Sequence, residues 1–283
     1  MKNDHFDVHD SLAKIIWIYI ILVVITFISV YPLLDVVKIS LRPYNSLFST
    51  SLKLIPENAT LGNFRIVLFD RPFMTWLNNS LIVSVATALL GALISITGAY
   101  SFSRFRFWGR RTTMTSFLLT QIFPAPMLLL PTYILLRQFG LANNFLGLII
   151  PYVATAIPLN IWILKGYFDT IPISIEESAY VDGAGFSQIL IKIVIPLSLP
   201  AIGVGILNSF MGAWNEYIIA RIIMTDKNMN TLPVALVGMT GSFNSDWGIY
   251  SAASLITALP VMAVFIGMSK FLINGLTLGG VKG

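Results

Sequence analysis

Glu176-Glu177-Ser178-Ala179-Tyr180-Val181-Asp182-Gly183-Ala184-Gly185, running on to Ile195-Pro196, is the stretch that decides how this chain is read. It is the longest polar-rich piece in the second half of a very apolar sequence. Pro172 forbids helix just upstream. Ser174 and Glu177 have the Ser-x-x-Glu spacing of a capping box, in which hydroxyl and carboxylate each satisfy an orphan amide. That spacing predicts a short helix beginning near Ile175, and Gly183 can take the left-handed conformation that stops it. A second helical run, Phe186 to Ile195, precedes Pro196. Joining two membrane spans needs only a few residues, so an element over 169–195 has another purpose. It reads either as a rigid docking knob or as an interfacial amphipathic hairpin without a partner.

Composition sets the surroundings of that element. Hydrophobic residues make up 56% of the chain and charged residues 11%, against roughly 25% charge in a soluble chain. A polytopic, all-α membrane protein is implied. There is no cysteine, and both histidines, His5 and His9, lie near the N-terminus. Disulfides, thiolate metal sites and a histidine base in the body are excluded. The net charge of +5 is not a nucleic-acid signal, because in a membrane protein the placement of Lys and Arg matters more than their sum.

Working outward, six spans are expected. Residues 1–14 form a polar tail and 15–37 the first span, whose uncharged run is too long for a signal peptide. Residues 38–78 hold Pro43, Pro56 and Pro72 and read as an extramembrane loop. Span 2, from 79 to about 103, has a small-residue face of Ala88, Gly91, Ala92, Ser95 and Gly98 suited to close helix packing. Span 3, about 113–136, is interrupted by Pro124, Pro126 and Pro131, as a kink or as an irregular wall beside a water path. Span 4 is 145–164 and span 5 is 196–220. A loop of about 30 residues precedes span 6, 250–273, and residues 274–283 are a tail. The core is thus 79–273.

Arg104, Arg106, Arg110 and Arg111 crowd a short loop. By the positive-inside rule they place that loop, both termini and the 169–195 element in the cytoplasm. They read as topology and lipid-headgroup determinants, with contact to a soluble partner as the other reading. Asn208, Asn215 and Glu216 on span 5 are candidate pore or gate residues, with Glu216 alternatively an interfacial anchor beside Trp214.

Two classes of chemistry are missing. No Gly-x-x-x-x-Gly-Lys-Ser/Thr loop occurs, so the chain has no phosphate cradle of this kind. Spans 2, 3 and 4 have no ionisable residue in their interiors, which weakens a proton- or sodium-coupled carrier. Energy delivered by a separate subunit, with force arriving at 169–195, fits better.

Glu177-Ser178-Ala179-x-x-Asp182-Gly183-Ala184, then Ile193-x-Ile195-Pro196, resembles the cytoplasmic signature of permease subunits of bacterial ABC importers. The usual form is Glu-Ala-Ala-x-x-x-Gly, nine residues, then Ile-x-Leu-Pro. The nine-residue spacing holds from Ala184 to Lys192, while Ser178 and Ile195 depart from the usual alanine and leucine. Tyr31-Pro32-Leu33-Leu34 with Ser40-Leu41-Arg42-Pro43, Ala99 through Phe107, and Lys165 through Ile171 are similar to the sugar-importing branch. The tail Asn274 through Gly283 is similar to the smaller permease of maltose/maltodextrin importers.

The resemblance implies a type I ABC importer permease fold in the bacterial cytoplasmic membrane, catalysing no reaction itself. It implies a second homologous permease subunit, two ATPase subunits carrying ATP and magnesium, and an extracytoplasmic solute-binding protein. No cofactor is expected on this chain. The ATPase-coupling residues would be Glu176, Glu177, Ser178, Ala179, Asp182, Gly183, Ala184 and Pro196. Thr277, Gly279, Gly280 and Lys282 would reach between the ATPases, or the tail is a frayed terminus. Maltodextrins lead among the sugars, with arabino- and galacto-oligosaccharides close behind. The competing class is a stand-alone secondary carrier or channel for a neutral solute.

Overall fold

A computed structural model describes residues 12–43, 55–56, 58–240 and 246–280. Every regular element among them is helical. The chain divides into two units, Met1–Arg71 with Ser242–Ile256, and Pro72–Gly241 with Thr257–Gly283.

In the first unit, α1 (Leu12–Ser40) is one apolar helix with Pro32 inside it. Its membrane-length stretch Lys14–Ser40 is exposed over its apolar part and becomes buried only at its end, at Ser40. Exposed Ile, Val and Leu along most of its length require hydrocarbon rather than water around them. The described part of the expected loop after it includes short helical elements. Asn63, at the start of α2 (Gly62–Arg65), donates to the carbonyls of Ser40 at 2.9 Å and Arg42 at 3.0 Å, closing the end of α1. A π turn, Ile66–Asp70, continues α2.

The second unit is built on α3 (Phe73–Arg104), α6 (Leu146–Phe168) and α10 (Leu199–Asn215). α3 starts earlier than expected and its 32 residues extend about 48 Å, more than the ~30 Å hydrocarbon core. Its small-residue face is the packing face: Ala88, Gly91, Ala92 and Ser95 are buried. A Cβ on Gly98 would lie 2.9 Å from Ile161 Cδ1, so glycine there permits the close approach of α6.

The expected third span is two helices, α4 (Arg110–Thr120) and α5 (Ala125–Gln138). Pro124 has no N–H to continue α4, its ring opposes the Thr120 carbonyl, and it serves instead as the N-cap of α5. Pro131 is absorbed inside α5. Met114 of α4 belongs to the buried cluster that includes Tyr100 and Leu164, whereas Leu136 of α5 belongs to the one that includes Leu148 and Ala220. Together the two helices run from one end of the α3–α6 pair to the other.

The element after α6 comprises α7 (Ile173–Val181), α8 (Phe186–Ile189), a π turn (Leu190–Val194) and α9 (Ile195–Leu197). The π turn sits just before Pro196, where a wider turn relieves the clash of the ring with the carbonyl four residues back. The helix therefore runs past Pro196, and the chain bends by 82° only at Ser198 before α10. α11 (Ile218–Ile223) straddles the expected end of span 5, and the expected loop after it holds a 3₁₀ turn (Lys227–Met229) and α12 (Leu232–Gly238). α13 runs Trp247–Gly280, continuing as helix through residues expected to be a tail.

Four described helices are long and apolar enough to cross a membrane by themselves, and five if the bent pair at Ser198 counts as one span.

Candidate functional site

The candidate site is the α7–α9 element and the helix ends that hold it. Pro172 is the N-cap of α7, which starts at Ile173 without any side-chain cap. The expected capping box is absent, because the proline already opens the helix two residues earlier. Ser174 contributes only its carbonyl, which accepts from Ser178 Oγ at 2.8 Å. The glycine stop is present: Gly183 has φ +84° and its N–H donates to the Tyr180 carbonyl at 3.0 Å. Gln188 Oε1 accepts from the Gly185 N–H at 3.1 Å, opening α8.

Adjacent helical residues point about 100° apart, and the two carboxylates follow suit. Glu177 is exposed, with Ser178, Asp182 and Gly183. Glu176 is 4% exposed and turned inward. Tyr100 Oη donates to Glu176 Oε2 at 2.6 Å and Arg104 Nε donates to Oε1 at 2.6 Å. Arg104 also donates to the Ile171 carbonyl at 3.1 Å and to Ser103 Oγ at 2.9 Å. Grouping Glu176 with the outward docking residues therefore needs correction: its carboxylate braces the element against α3. Arg104 likewise leaves the topology-determining arginine group to become the other half of a buried ion pair.

A second polar link runs beside the first. Ser103 Oγ donates to Asp169 Oδ1 at 2.6 Å, and Lys165 pairs with the other oxygen. Burial alone would raise the Asp169 pKa, but the hydrogen bonds from Lys165 and Ser103 and the charges of Lys165 and Arg110 hold it below the ordinary carboxylate value. Ala179 and Ala184 are half-buried against the core that includes Tyr100, Phe168, Ile189 and Val194. Phe186 stacks edge-on to Tyr100 with centroids 5.1 Å apart. Pro196 is exposed on α9, and Tyr167 Oη donates to the Leu197 carbonyl at 3.2 Å. The result is a knob fixed on its inner side and polar on its outer side. Exposed Ile173, Ile175, Tyr180 and Val181 flank the carboxylates.

The other candidate residues fall elsewhere. Asn208 is exposed on α10 and donates to Asn160 Oδ1 at 3.4 Å. Asn160, fully buried, donates to Ser209 Oγ at 2.7 Å, forming a polar joint between α6 and α10. Asn215 is exposed and donates to the Met211 carbonyl. Glu216 accepts from the N–H groups of Ile219 at 2.8 Å and Ala220 at 3.0 Å, and from Tyr152 Oη at 2.5 Å. Its carboxylate is occupied in capping α11. Thr277, Gly279 and Gly280 lie in the last turns of α13, and Lys282 lies outside the described residues. Among the described residues no three His, Cys, Asp or Glu side chains group as metal ligands.

Sequence reasoning missed Tyr100, Ser103, Arg104 and Asp169 as the brace. Adjacent helical residues point about 100° apart, so Glu176 and Glu177 need not share an environment, but nothing local in the sequence marks which of them turns inward.

Comparison with known proteins places this geometry. Residues 89–274 match the model of the binding-protein-dependent transport system inner membrane component. The galactooligosaccharides transport system permease protein of Bacillus subtilis is 34% identical over 275 residues, covering 95% of this chain and 96% of that one. The maltose/maltodextrin transport system permease protein of Vibrio vulnificus is 37% identical, covering 90% and 91%. The maltodextrin transport system permease protein of Bacillus subtilis is 31% identical, covering 94% and 95%. In fold, the chain is similar to a chain of a bacterial alginate ABC transporter solved with an alginate pentasaccharide-bound periplasmic protein. That match has a TM-score of 0.63 at 16% identity and covers 89% of this chain and 92% of that one.

Proposed function

The chain belongs to the family of binding-protein-dependent transport system inner membrane components, and from that premise we propose that it is the permease subunit of an ATP-driven oligosaccharide importer of maltodextrin type. It crosses the bacterial cytoplasmic membrane six times, by α1, α3, the broken pair α4–α5, α6, α10 with its bent lead-in, and α13. Support for counting α4–α5 as one crossing is that its two halves pack at opposite ends of α3 and α6. An even number of crossings puts both termini on one side, and Arg106, Arg110 and Arg111, in the short loop after α3 and the first turn of α4, make that side cytoplasmic.

A homologous permease completes the path. Two ATPase subunits sit below, and a soluble binding protein delivers sugar from outside. Glu177, Ser178, Asp182 and Gly183 face an ATPase, whose nucleotide cycle displaces α7–α9 as a rigid body. The end of α13, with Thr277, Gly279 and Gly280, reaches the ATPases as well, and so does Lys282 beyond the described residues. Asn208 and Asn215 lie along the sugar path. The observation that carries the reading is the knob itself: an exposed acidic face on an element whose reverse side is locked by a buried ion pair. A linker has no need of such a lock.

The test is Glu177→Lys in the assembled importer. Uptake and sugar-stimulated ATP hydrolysis fall together, by tenfold or more, while the subunit stays in the membrane. Full transport by this variant, or sugar transport by the purified chain alone, overturns the reading.

A further inference from the structure

At the end of α3 and α6 that carries α7, a second feature is left unused by the coupling scheme. A recess of about 620 Å³ lies between the loop after α3, the start of α4 and the last turns of α6. Arg106, Arg110, Arg111 and Lys165 line it, with Phe107 and Trp162. Lys165 is paired with Asp169. Among the described residues no carboxylate lies within ion-pair distance of Arg106, Arg110 or Arg111. Three guanidinium groups around one concavity repel each other unless an anion sits among them. The α4 start adds to the same field: Gly109, at φ +83°, turns the chain sharply, and neither an acidic residue nor a capping side chain occupies the first turn.

The rim identifies the anion. Trp108, at the tip of the loop, is fully exposed, and its neighbours Phe105 and Phe107 are nearly half exposed. An indole left wholly uncovered beside arginines suits the headgroup layer, where its ring is buried and its N–H stays wet. Basic pockets between membrane helices take lipid phosphates. We propose that this recess binds the phosphate of an anionic phospholipid, with Arg106, Arg110 and Arg111 on the headgroup and Trp108 beside the acyl boundary. The ligand chemistry is a phosphate monoanion or dianion, and the source is the bilayer leaflet at the α7 end. The inference rests on the proposed orientation only for which leaflet that is. Because Lys165 and Arg110 also act on Asp169, the bound lipid lies next to the polar link holding the knob.

The experiment uses the full chain in phosphatidylcholine nanodiscs titrated with phosphatidylglycerol, with retained lipid counted by native mass spectrometry. Selective retention of phosphatidylglycerol is expected. Replacing Arg106, Arg110 and Arg111 by Gln lowers retention about fivefold for each charge removed. The matching triple Lys variant keeps it within about twofold, which separates lost charge from misfolding. Trp108→Ala lowers it further than a tryptophan change outside the recess, Trp17→Ala. Equal retention by the triple Gln variant overturns the proposal. So does thermal stabilisation by millimolar inorganic phosphate alone that matches the lipid, which would assign the recess to a soluble anion. Glu177→Lys leaves retention unchanged, so failure of the coupling scheme and failure of the lipid site are separately visible.

Discussion

Two Tyr–Glu pairs hold the two ends of the α3–α6–α10 bundle, and they are built differently. At the end with α7, Glu176 takes a hydrogen bond from Tyr100 and a full positive charge from Arg104. At the opposite end, Glu216 takes one from Tyr152 and two from the backbone amides that open α11. The first carboxylate joins two elements far apart in sequence. The second caps the helix directly following it and ties that junction to α6. A buried ion pair gives little net stability but is costly to break on one side. A carboxylate held by amides has no single partner whose removal leaves it stranded. The α7 end is therefore all-or-nothing in its attachment, whereas the other end can give way in increments.

Breaking the ion pair has the largest expected effect. Arg104→Ala leaves Glu176 buried without its cation, at a cost of about 3–5 kcal/mol. The loss is concentrated in α7–α9, so hydrogen exchange over 173–181 accelerates far more than exchange in α6. Replacing both residues, Arg104→Met with Glu176→Leu, recovers most of the lost melting temperature, because apolar groups of similar volume substitute well for a buried pair. Recovery of stability without recovery of coupled ATP hydrolysis would show that the pair fixes the orientation of α7 and not only its attachment. A double variant as unstable as Arg104→Ala would break the contrast between the two ends.

Glu216→Ala sharpens the same contrast from the other side. It leaves the Tyr152 hydroxyl and two amides without their acceptor, at about 1.5–3 kcal/mol. Exchange protection drops in α11, and α7 is untouched. A change in sugar selectivity with no loss of stability would instead return Glu216 to the gate role that its position near the end of α10 suggested.

What could be read from the sequence follows the range of the interaction. Gly183 and Pro172 act through their own backbones, and both helix boundaries they imply are present within about two residues. Glu216 stands two residues before the apolar run Ile218-Ile219-Ala220, and its oxygens take the amides three and four residues on, in the first turn of α11. The readings of Glu216 as a gate residue or as an interfacial anchor beside Trp214 did not include that role, although it acts over only a few residues. Arg104 and Glu176 are 72 residues apart, so neither spacing nor periodicity connects them. The knob was visible as a motif; the brace that makes it rigid was not. The expected third span was half legible: its prolines marked the interruption between α4 and α5, but not that Met114 and Leu136 would fall in different buried clusters.

Gly183 tests the local part of that reading. A Cβ there would meet nothing within 4 Å, so space is not the constraint. The left-handed backbone is, and Gly183→Ala costs about 1–2 kcal/mol, while Gly183→Asn costs less because asparagine tolerates that conformation. Thermal melts of the two variants check the order. Equal losses would mean that the outer surface at this position, rather than the turn, is what glycine serves.

The smallest effect concerns the link beside the ion pair. Asp169 is held below its ordinary pKa by Lys165, Ser103 and Arg110 despite partial burial. A carboxyl with a lowered folded pKa contributes stability that is fully present above its unfolded value, near ~3.9, and is lost as pH falls through the folded value. Melting temperature measured from neutral pH down to about pH 3 should therefore decline in the native chain through that window. Asp169→Asn begins slightly lower at neutral pH and declines less, so the two curves converge in acid. The effect is small because the group is largely solvated and its partners are screened. If the lipid phosphate occupies the neighbouring recess, phosphatidylglycerol competes for Lys165 and Arg110 and narrows the gap between the two curves. In phosphatidylcholine the gap is widest. Convergence that ignores the lipid would separate the Asp169 link from the basic recess.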